Sequence, residues 1–234
     1  MNRKDAFHTP RITRRRLLSG ATAAITAGVW FKSAGAAFAR ALSREERAAV
    51  QRISDFFNSF TTLKGEFTQI SPRGRVSTGK VFIAKPGRMR FEYTPPHPLV
   101  IVSDGSWVAV RNNRKDTVDY YPLSQTPLRM ILRKRVDLLR DTIVKSVERR
   151  DDLLIVTLQD RKGDIPGQLI LVYDERRKQL QQWIVVDGQG RRTTVTLSGL
   201  EPNVKLSANL FRVKRKGLKA YENHKKTNFG ARRR

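Results

Sequence analysis

Histidine is the residue type in this chain best suited to acid–base or metal chemistry, and its three copies are scattered. His8, His97 and His224 are too far apart in sequence for metal-ligand spacing. A Ser-His-Asp triad would have to use His97, which stands between prolines and is better explained as a turn residue. The chain also has no cysteine, which excludes thiol nucleophiles, disulfides and Cys-based metal sites. We therefore expect no metal site and no cofactor.

Aspartate offers another route to catalysis, but the candidate acids stand where turns favour this residue. Asp104 precedes a glycine, and Asp151 and Asp152 lie between two predicted strands. Residues 187–190 (Asp-Gly-Gln-Gly) contain part of a nucleotide-loop spacing, yet a tight hairpin explains them fully. We predict that the protein has no catalytic residues and is not an enzyme. A secreted hydrolase is the alternative, and the lack of a nucleophile paired with a base argues against it.

The charge balance of the chain is strongly basic. Its 234 residues include 47 Lys and Arg against 21 Asp and Glu, a formal net charge of +26 at pH 7. Such an excess is typical of proteins that meet nucleic acid or an anionic membrane surface. The export signal described next argues against nucleic acid, and an anionic membrane surface is kept as a partner. A solvated surface is the alternative, because the basic residues are spread along the chain.

The first 39 residues are typical of an export signal rather than of a folded domain. Arg14 and Arg15 begin a twin-arginine pattern, and a mildly apolar run of about 15 residues follows, short of the roughly 20 that span a membrane. Ala37 and Ala39 offer a small-x-small cleavage site. We predict a twin-arginine signal peptide over residues 1–39 and a periplasmic location. An uncleaved anchor or a basic tail is the alternative.

Two amphipathic segments predict helices. The first, over residues 44–59, begins with the capping-box spacing of Ser43 and Glu46 and repeats large apolar residues at intervals of three and four. The second begins at Thr126 and Pro127, which suit the N-cap and the first helical position. Each helix needs an apolar surface beneath it, which the strands must supply.

Strand patterns fill most of the remaining chain. Met89, Phe91 and Tyr93 share one face of a segment whose other face is charged, the mark of a half-buried strand. Further strands are predicted at residues 107–110, 117–121, 144–148, 153–158, 169–172, 180–186, 193–197 and 209–213. Because no βαβ units alternate, the pattern indicates an α+β fold, a mainly antiparallel sheet wrapped on itself with helices over one opening. Residues 40–213 form this domain, and residues 214–234 are predicted to be a basic, flexible tail.

Six short segments of the chain occur in an order that carries a family resemblance. They are the first predicted helix and residues 63–69, 85–93, 102–105, 126–128 and 180–190. In this order, behind an export signal, they resemble the periplasmic outer-membrane lipoprotein carrier family, LolA. The resemblance implies an unclosed half β-barrel with a helical lid over a hydrophobic cavity. It also implies a monomer that takes acylated lipoproteins from an inner-membrane ABC transporter to the outer membrane, with an outer-membrane receptor as a further partner.

The same resemblance assigns roles to individual residues. The candidates for a lipid-binding cavity are Met89, Phe91 and Tyr93 on the strand, Ile53, Phe57 and Phe60 on the first helix, and Leu128 and Ile131 on the second. Lys85 stands where the family usually has an arginine that bonds to the lid. Since lysine lacks the planar fork of arginine, we predict a looser lid latch, or a role shared with Arg88 or Arg90. A regulatory module of the same fold, which senses lipid or lipoprotein, is the alternative.

Overall fold

The computed structural model describes residues 41–212, and one sheet of eleven strands makes up about half of them. The strands are β1 (Thr62–Ile70), β2 (Val76–Ala84), β3 (Arg88–Tyr93), β4 (Leu99–Asp104), β5 (Trp107–Asn112), β6 (Thr117–Pro122), β7 (Thr142–Arg150), β8 (Leu153–Asp160), β9 (Gln168–Asp174), β10 (Gln179–Val186) and β11 (Arg192–Pro202). The helices are α1 (Arg44–Asn58), α2 (Leu138–Asp141) and the 3₁₀ helices Leu123–Gln125, Pro127–Met130 and Ala208–Phe211. The predicted signal peptide, residues 1–39, and the predicted tail, residues 214–234, lie outside the described residues. Within residues 41–212, no helix has the length and apolar character needed to cross a membrane.

Helix α1 begins as its capping box predicts. The Ser43 hydroxyl accepts a hydrogen bond from the Glu46 amide at 3.1 Å, and the Glu46 carboxylate accepts one from the Ser43 amide at 2.7 Å. These bonds satisfy two of the amides that the start of a helix leaves unpaired. The helix ends at Asn58, one residue before the predicted end, and Val50 and Ile53 lie on its buried face.

Each strand pairs antiparallel with its neighbours in sequence, except that β6 does not pair with β7. The sheet is instead continued at a joint where β1 pairs with β11. The strand order is β6-β5-β4-β3-β2-β1-β11-β10-β9-β8-β7, so β1 pairs with both β2 and β11. Strands β6 and β7 are the two edges of this sheet, so the sheet is not closed. The prediction of a mainly antiparallel, unclosed sheet with few helices is confirmed.

The sheet is strongly curved, and the curvature brings its two wings together on the concave side, here called the inner face. Strands β3 and β10 are four positions apart in the order, or about 19 Å along a flat sheet. Yet the rings of Phe91 on β3 and Trp183 on β10 lie only 6.0 Å apart, edge to face. At Gly79 a Cβ would lie 2.1 Å from the Glu92 carbonyl oxygen, so the close approach of β2 and β3 at this position requires glycine. The main hydrophobic core therefore lies on the inner face.

The prediction of a second amphipathic α-helix beginning at Thr126 and Pro127 is wrong in the type and length of the helix. Pro127–Met130 forms a 3₁₀ helix, and α2, which follows later, has only four residues. The Thr126 hydroxyl donates to the Leu123 carbonyl at 2.9 Å instead of capping a helix. Residues 123–141, here called the covering segment, connect β6 to β7, which are opposite edges of the sheet. The path of the covering segment is therefore determined by the two sheet edges that it connects, and this constraint outweighs the helix propensity of its residues.

The prediction of a last strand at residues 209–213 is also wrong. Ala208–Phe211 is a 3₁₀ helix, because β1 already pairs on both sides and offers no free edge to the chain that leaves β11. The segment packs on the convex, outer face of the sheet instead. There Arg90 Nη1 donates to the Leu210 carbonyl at 3.1 Å, and the Phe211 side chain is buried.

Candidate functional site

The eight residues predicted to form the lipid-binding cavity meet in one hydrophobic cluster. Met89, Phe91 and Tyr93 are on the inner face of β3 and are each less than a tenth exposed. The remaining five come from α1, the residue two positions after it and the covering segment: Ile53, Phe57, Phe60, Leu128 and Ile131. Leu128 is half-buried, and the other four are buried. The structure brings all eight together as packed core, and their use as a lipid wall stays a prediction.

Two further aromatic residues lie at the centre of this cluster, and the sequence analysis did not count them among the cavity residues. The Phe67 ring on β1 lies 4.9 Å from the Phe91 ring and 5.1 Å from the Tyr93 ring, both edge to face. Trp183 reaches the Phe91 ring from the other wing, at 6.0 Å. Phe67 is 1% exposed. The signal that could have found it is the alternation of Leu63 and Phe67 with polar neighbours along β1.

Lys85, the predicted latch, contacts α1 directly. It lies in the turn between β2 and β3, and its Nζ donates a hydrogen bond to the carbonyl oxygen of Phe57, near the C-terminal end of the helix. The same Nζ lies 5.1 Å from the centre of the Phe60 ring. Burial lowers the pKa of the Lys85 amine below its ordinary value. A cation at the end of a helix also interacts favourably with the helix dipole.

Arg88 and Arg90, the residues proposed to share the latch, face the opposite way. Arg88 lies over the Phe211 ring, 5.7 Å from its centre, on the outer face. Arg90 pairs with Glu92 on the same strand at 2.5 Å and bonds to the C-terminal segment described above. Neither contact is with α1 or with the covering segment. The prediction of a shared latch is therefore wrong, because alternation along β3 turns these side chains away from the inner face.

The covering segment is tied down by backbone and amide hydrogen bonds. The Asn58 side chain donates to the Val136 carbonyl at 2.7 Å and accepts from the Val136 amide at 2.9 Å. The Gly87 amide, in the same turn as Lys85, donates to the Leu132 carbonyl at 2.7 Å. These bonds connect the covering segment to the end of α1 and to the β2–β3 turn.

One ion pair fastens the covering segment to the far wing of the sheet. Arg129 Nη2 lies 2.6 Å from Asp160 Oδ1 at the end of β8, and Asp160 is 4% exposed. Burial alone would raise the pKa of Asp160, but the hydrogen bond and charge of Arg129, with amides of the following turn, hold the pKa below its ordinary value. The carboxylate is therefore charged at neutral pH and paired.

Two depressions lie outside the inner face. A groove of about 860 Å³ on the outer face is lined by Arg90, Val100, Val102, Asp104, Ala109, Arg111, Asn113, Val118, Asn209, Phe211 and Arg212. A pocket of about 630 Å³, here called the rim pocket, is lined by Arg75, Val76, Ser77, Thr78, Thr94, Pro95, Pro96, His97, Pro98, Leu99, Asn112 and Arg114. On the inner face, side chains of the core cluster pack against one another. The open hydrophobic cavity therefore stays a prediction.

The candidate acid Asp104 and the hairpin residue Asp187 both have turn roles. Asp104 Oδ1 accepts hydrogen bonds from the Ser106 and Trp107 amides, each at 2.9 Å, which shapes the turn between β4 and β5. Asp187 does the same for the Gln189 and Arg191 amides in the predicted hairpin. Among residues 41–212, no three or more His, Cys, Asp or Glu side chains are grouped so that they could hold a metal ion.

Comparison with known proteins identifies the family to which this fold belongs. The family model described as outer membrane lipoprotein carrier protein LolA matches residues 58–214. An outer-membrane lipoprotein carrier protein of Dechloromonas aromatica is 26% identical over 172 residues, which cover 70% of this chain and 82% of that protein. An uncharacterized protein of Rickettsia prowazekii is 25% identical over 165 residues, covering 69% and 76%.

One solved structure is also similar to this chain. The LolA superfamily protein NE2245 from Nitrosomonas europaea aligns with 74% of this chain and 99% of its own, at a TM-score of 0.44 and 10% identity. The sequence match alone spans well over half of the chain and includes α1's last residue, the whole sheet and the covering segment. This chain belongs to the LolA family of outer membrane lipoprotein carriers.

Proposed function

We propose that this protein carries the acyl chains of lipoproteins from an inner-membrane ABC transporter across the periplasm to the outer membrane. The observation that supports this function is the inner face, where a curved sheet presents one continuous apolar surface. Helix α1 and the covering segment close that surface, and the covering segment has little regular structure of its own. Membership of the family supplies the class of cargo.

The physical demand on such a carrier is large. Burying one methylene group is worth about 0.8 kcal/mol, so three chains of roughly 16 carbons represent some tens of kcal/mol of unfavourable exposure in water. The inner face now buries its own side chains, such as Phe67 and Phe91, against one another. Exchanging these contacts for contacts with acyl chains replaces one apolar environment by another. Opening and loading therefore need not lose the hydrophobic free energy of the core.

Lys85 is proposed to hold the empty inner face shut. Its hydrogen bond to the Phe57 carbonyl joins the β2–β3 turn to α1. A lysine makes this contact with one ammonium group, whereas an arginine can bond through several donors at once. The proposed latch is therefore weaker than one built on arginine, so less binding energy from the cargo is needed to open it.

The experiment that tests carriage uses spheroplasts that display an acylated lipoprotein. The purified exported protein is added, and lipoprotein in the soluble fraction is measured by immunoblot. Phe91→Glu places a carboxylate on the inner face and should abolish release, because a charge there is desolvated by bound acyl chains. Phe82→Glu is the matched control, since residue 82 lies on the outer face of the adjacent strand, opposite Arg90.

Release by the wild type and by Phe82→Glu, but not by Phe91→Glu, supports carriage. Both variants are first checked by circular dichroism for native β structure. No release by the wild type, or equal release by the two variants, would contradict the proposal.

The export route and the partners are part of the same proposal. Residues 1–39 are proposed to direct twin-arginine export, with Arg14 and Arg15 as its signature and cleavage after Ala39. Replacing both arginines by lysine should keep the protein in the cytoplasm, as cell fractionation would show; periplasmic protein from that variant would contradict this route. The proposed partners are the inner-membrane transporter, an outer-membrane receptor and anionic membrane surface.

A further inference from the structure

The rim pocket has an unusual composition for a surface depression. It lies where the β1–β2, β3–β4 and β5–β6 turns meet, at the end of the sheet away from Lys85. Its lining includes two arginines, one histidine and three hydroxyl side chains, and none of its twelve lining residues is acidic. A pocket of this kind concentrates positive charge and hydrogen-bond donors.

Within the described part of the chain, the two arginines of the rim pocket have no carboxylate partner. Neither Arg75 nor Arg114 is paired with a carboxylate within residues 41–212, whereas nearby Arg111 pairs with Asp116 at 3.2 Å. Arg114 Nη2 donates to the Pro96 carbonyl at 3.1 Å, which positions its guanidinium over the β3–β4 turn. Two guanidinium groups directed to one pocket without a carboxylate are a favourable arrangement for an anion.

His97 connects the rim pocket to the inner face. Its ring stacks on Tyr93, with 4.4 Å between ring centres and 19° between ring planes. Its Nδ1 atom is buried and makes no hydrogen bond within the described chain. Burial, followed by the charges of Arg75 and Arg114, lowers the pKa of the imidazole. His97 is therefore sensitive to the charges of both arginines.

We propose that the rim pocket binds a phosphate group, which Arg75 and Arg114 neutralise, and that this phosphate belongs to the headgroup of an anionic phospholipid. The pocket also exposes apolar surface beside the arginines, including Val76, which is 64% exposed, and Leu99. A glycerophosphate headgroup fits this mixture, with its phosphate on the guanidinium groups and its first methylenes on the apolar residues. Free inorganic phosphate has the same anionic group but makes no use of the apolar surface.

The proposal does not depend on lipoprotein carriage. It concerns the opposite rim from the Lys85 latch, and phosphate binding is measured without any lipoprotein. Failure of the spheroplast experiment would leave it standing, and failure of phosphate binding would leave carriage standing. If both hold, a phospholipid headgroup would be bound beside Tyr93, at the margin of the proposed acyl-chain surface.

The test follows the His97 imidazole signal by NMR in the purified full chain during titration, at constant ionic strength. His97→Gln assigns the signal by removing it. The two ligands are inorganic phosphate and a short-chain phosphatidylglycerol kept below its micelle concentration. The test variant is Arg75→Gln with Arg114→Gln, and Arg73→Gln is the matched control, because it removes one charge from the β1–β2 turn outside the pocket lining.

Saturable shifts with both ligands, weakened at least about tenfold in the double variant and unchanged in Arg73→Gln, support the phosphate site. Tighter binding of phosphatidylglycerol than of inorganic phosphate then supports the lipid headgroup as its source. Equal affinities would overturn the lipid source and leave a site for free phosphate. The whole proposal is overturned by no saturable shift with either ligand, or by an equal loss in Arg73→Gln.

Discussion

Two pieces of chain cover the same inner face, and they are held there in different ways. Helix α1 is a capped helix of 15 residues whose buried side chains join the core from several turns. The covering segment, residues 123–141, has only short helical pieces. It also contributes buried side chains to the core, and it is fastened in addition by polar bonds, including the Arg129–Asp160 pair and the reciprocal bonds of Asn58 and Val136.

The difference indicates which piece can move. Removing α1 exposes a continuous apolar stripe, at a cost that grows with the area exposed. Removing the covering segment also exposes buried apolar residues, and it breaks specific polar bonds, each worth about 1 kcal/mol net, with more for the buried ion pair. Because the covering segment has only short helical pieces, whereas α1 is one continuous helix, we expect local opening to begin at the polar bonds of the covering segment.

The largest effect is expected from Ile53→Ala in α1. Ile53 is fully buried, so its truncation loses transfer free energy and leaves a cavity, and the free energy of unfolding should fall by about 2–5 kcal/mol. Urea unfolding followed by tryptophan fluorescence measures the change. Arg47→Ala on the exposed face of the helix is the control. A loss below about 1 kcal/mol would show that α1 is not the firmly packed half of the cover.

Asp160→Asn should loosen the covering segment more than the molecule as a whole. The change leaves Arg129 without its charged partner, and about 1–3 kcal/mol is expected because Arg129 is itself one-fifth exposed. Amide hydrogen exchange should accelerate in residues 127–141 while α1 stays protected. Since the folded pKa of Asp160 is lowered, the wild-type advantage should persist above pH 4 and disappear as pH falls through that folded pKa. Uniform acceleration over α1 and the covering segment would contradict the comparison.

Lys85→Met should have a smaller effect, concentrated where α1 ends. The methionine keeps the aliphatic stem but loses the donor to the Phe57 carbonyl, so about 1 kcal/mol is expected. Binding of a fluorescent apolar probe should increase, because the end of α1 frays and exposes Phe57 and Phe60. The control is Lys80→Met, an exposed lysine on the outer face of β2. Equal probe binding by the two variants would contradict the proposed role of Lys85 as a latch.

The smallest effect is expected from alkaline pH. The folded pKa of Lys85 is lowered from 10.5, so the unfolded chain holds this proton more tightly. Stability should therefore rise slightly, relative to Lys85→Met, as pH increases from the folded pKa to 10.5, and then level off. Unfolding midpoints in urea at a series of pH values measure the difference. A relative loss of stability over this range would contradict a desolvated ammonium group.

The parts of the fold that could be predicted are those that local sequence determines. The capping box placed the start of α1 at Arg44, and alternation placed Met89, Phe91 and Tyr93 on one buried face. Turn residues such as Asp187 identified the hairpins. Each of these features depends on residues that are neighbours in the chain, so a single sequence carries the signal.

The parts that could not be predicted depend on which strands become neighbours. Residues 209–213 have a strand composition, but they follow a strand whose partner β1 is already paired on both sides. The pattern after Thr126 fits a helix, but the segment must connect the two open edges of the sheet. The Arg129–Asp160 pair joins residues 31 apart, and no local spacing indicates it. The bond from Lys85 to α1 came only from the family resemblance.

The joint between β1 and β11 also has a consequence for synthesis of the protein. Residues 62–70 complete their pairing only with residues 194–202. Strand β1 therefore cannot be paired on both sides until β11 has left the ribosome. Until then each wing is a meander of hairpins with its apolar face unprotected, and contacts so distant in sequence slow the search for the native state. The nascent chain should therefore be most vulnerable to aggregation before residue 202 emerges, and a chain truncated before β11 should fail to fold.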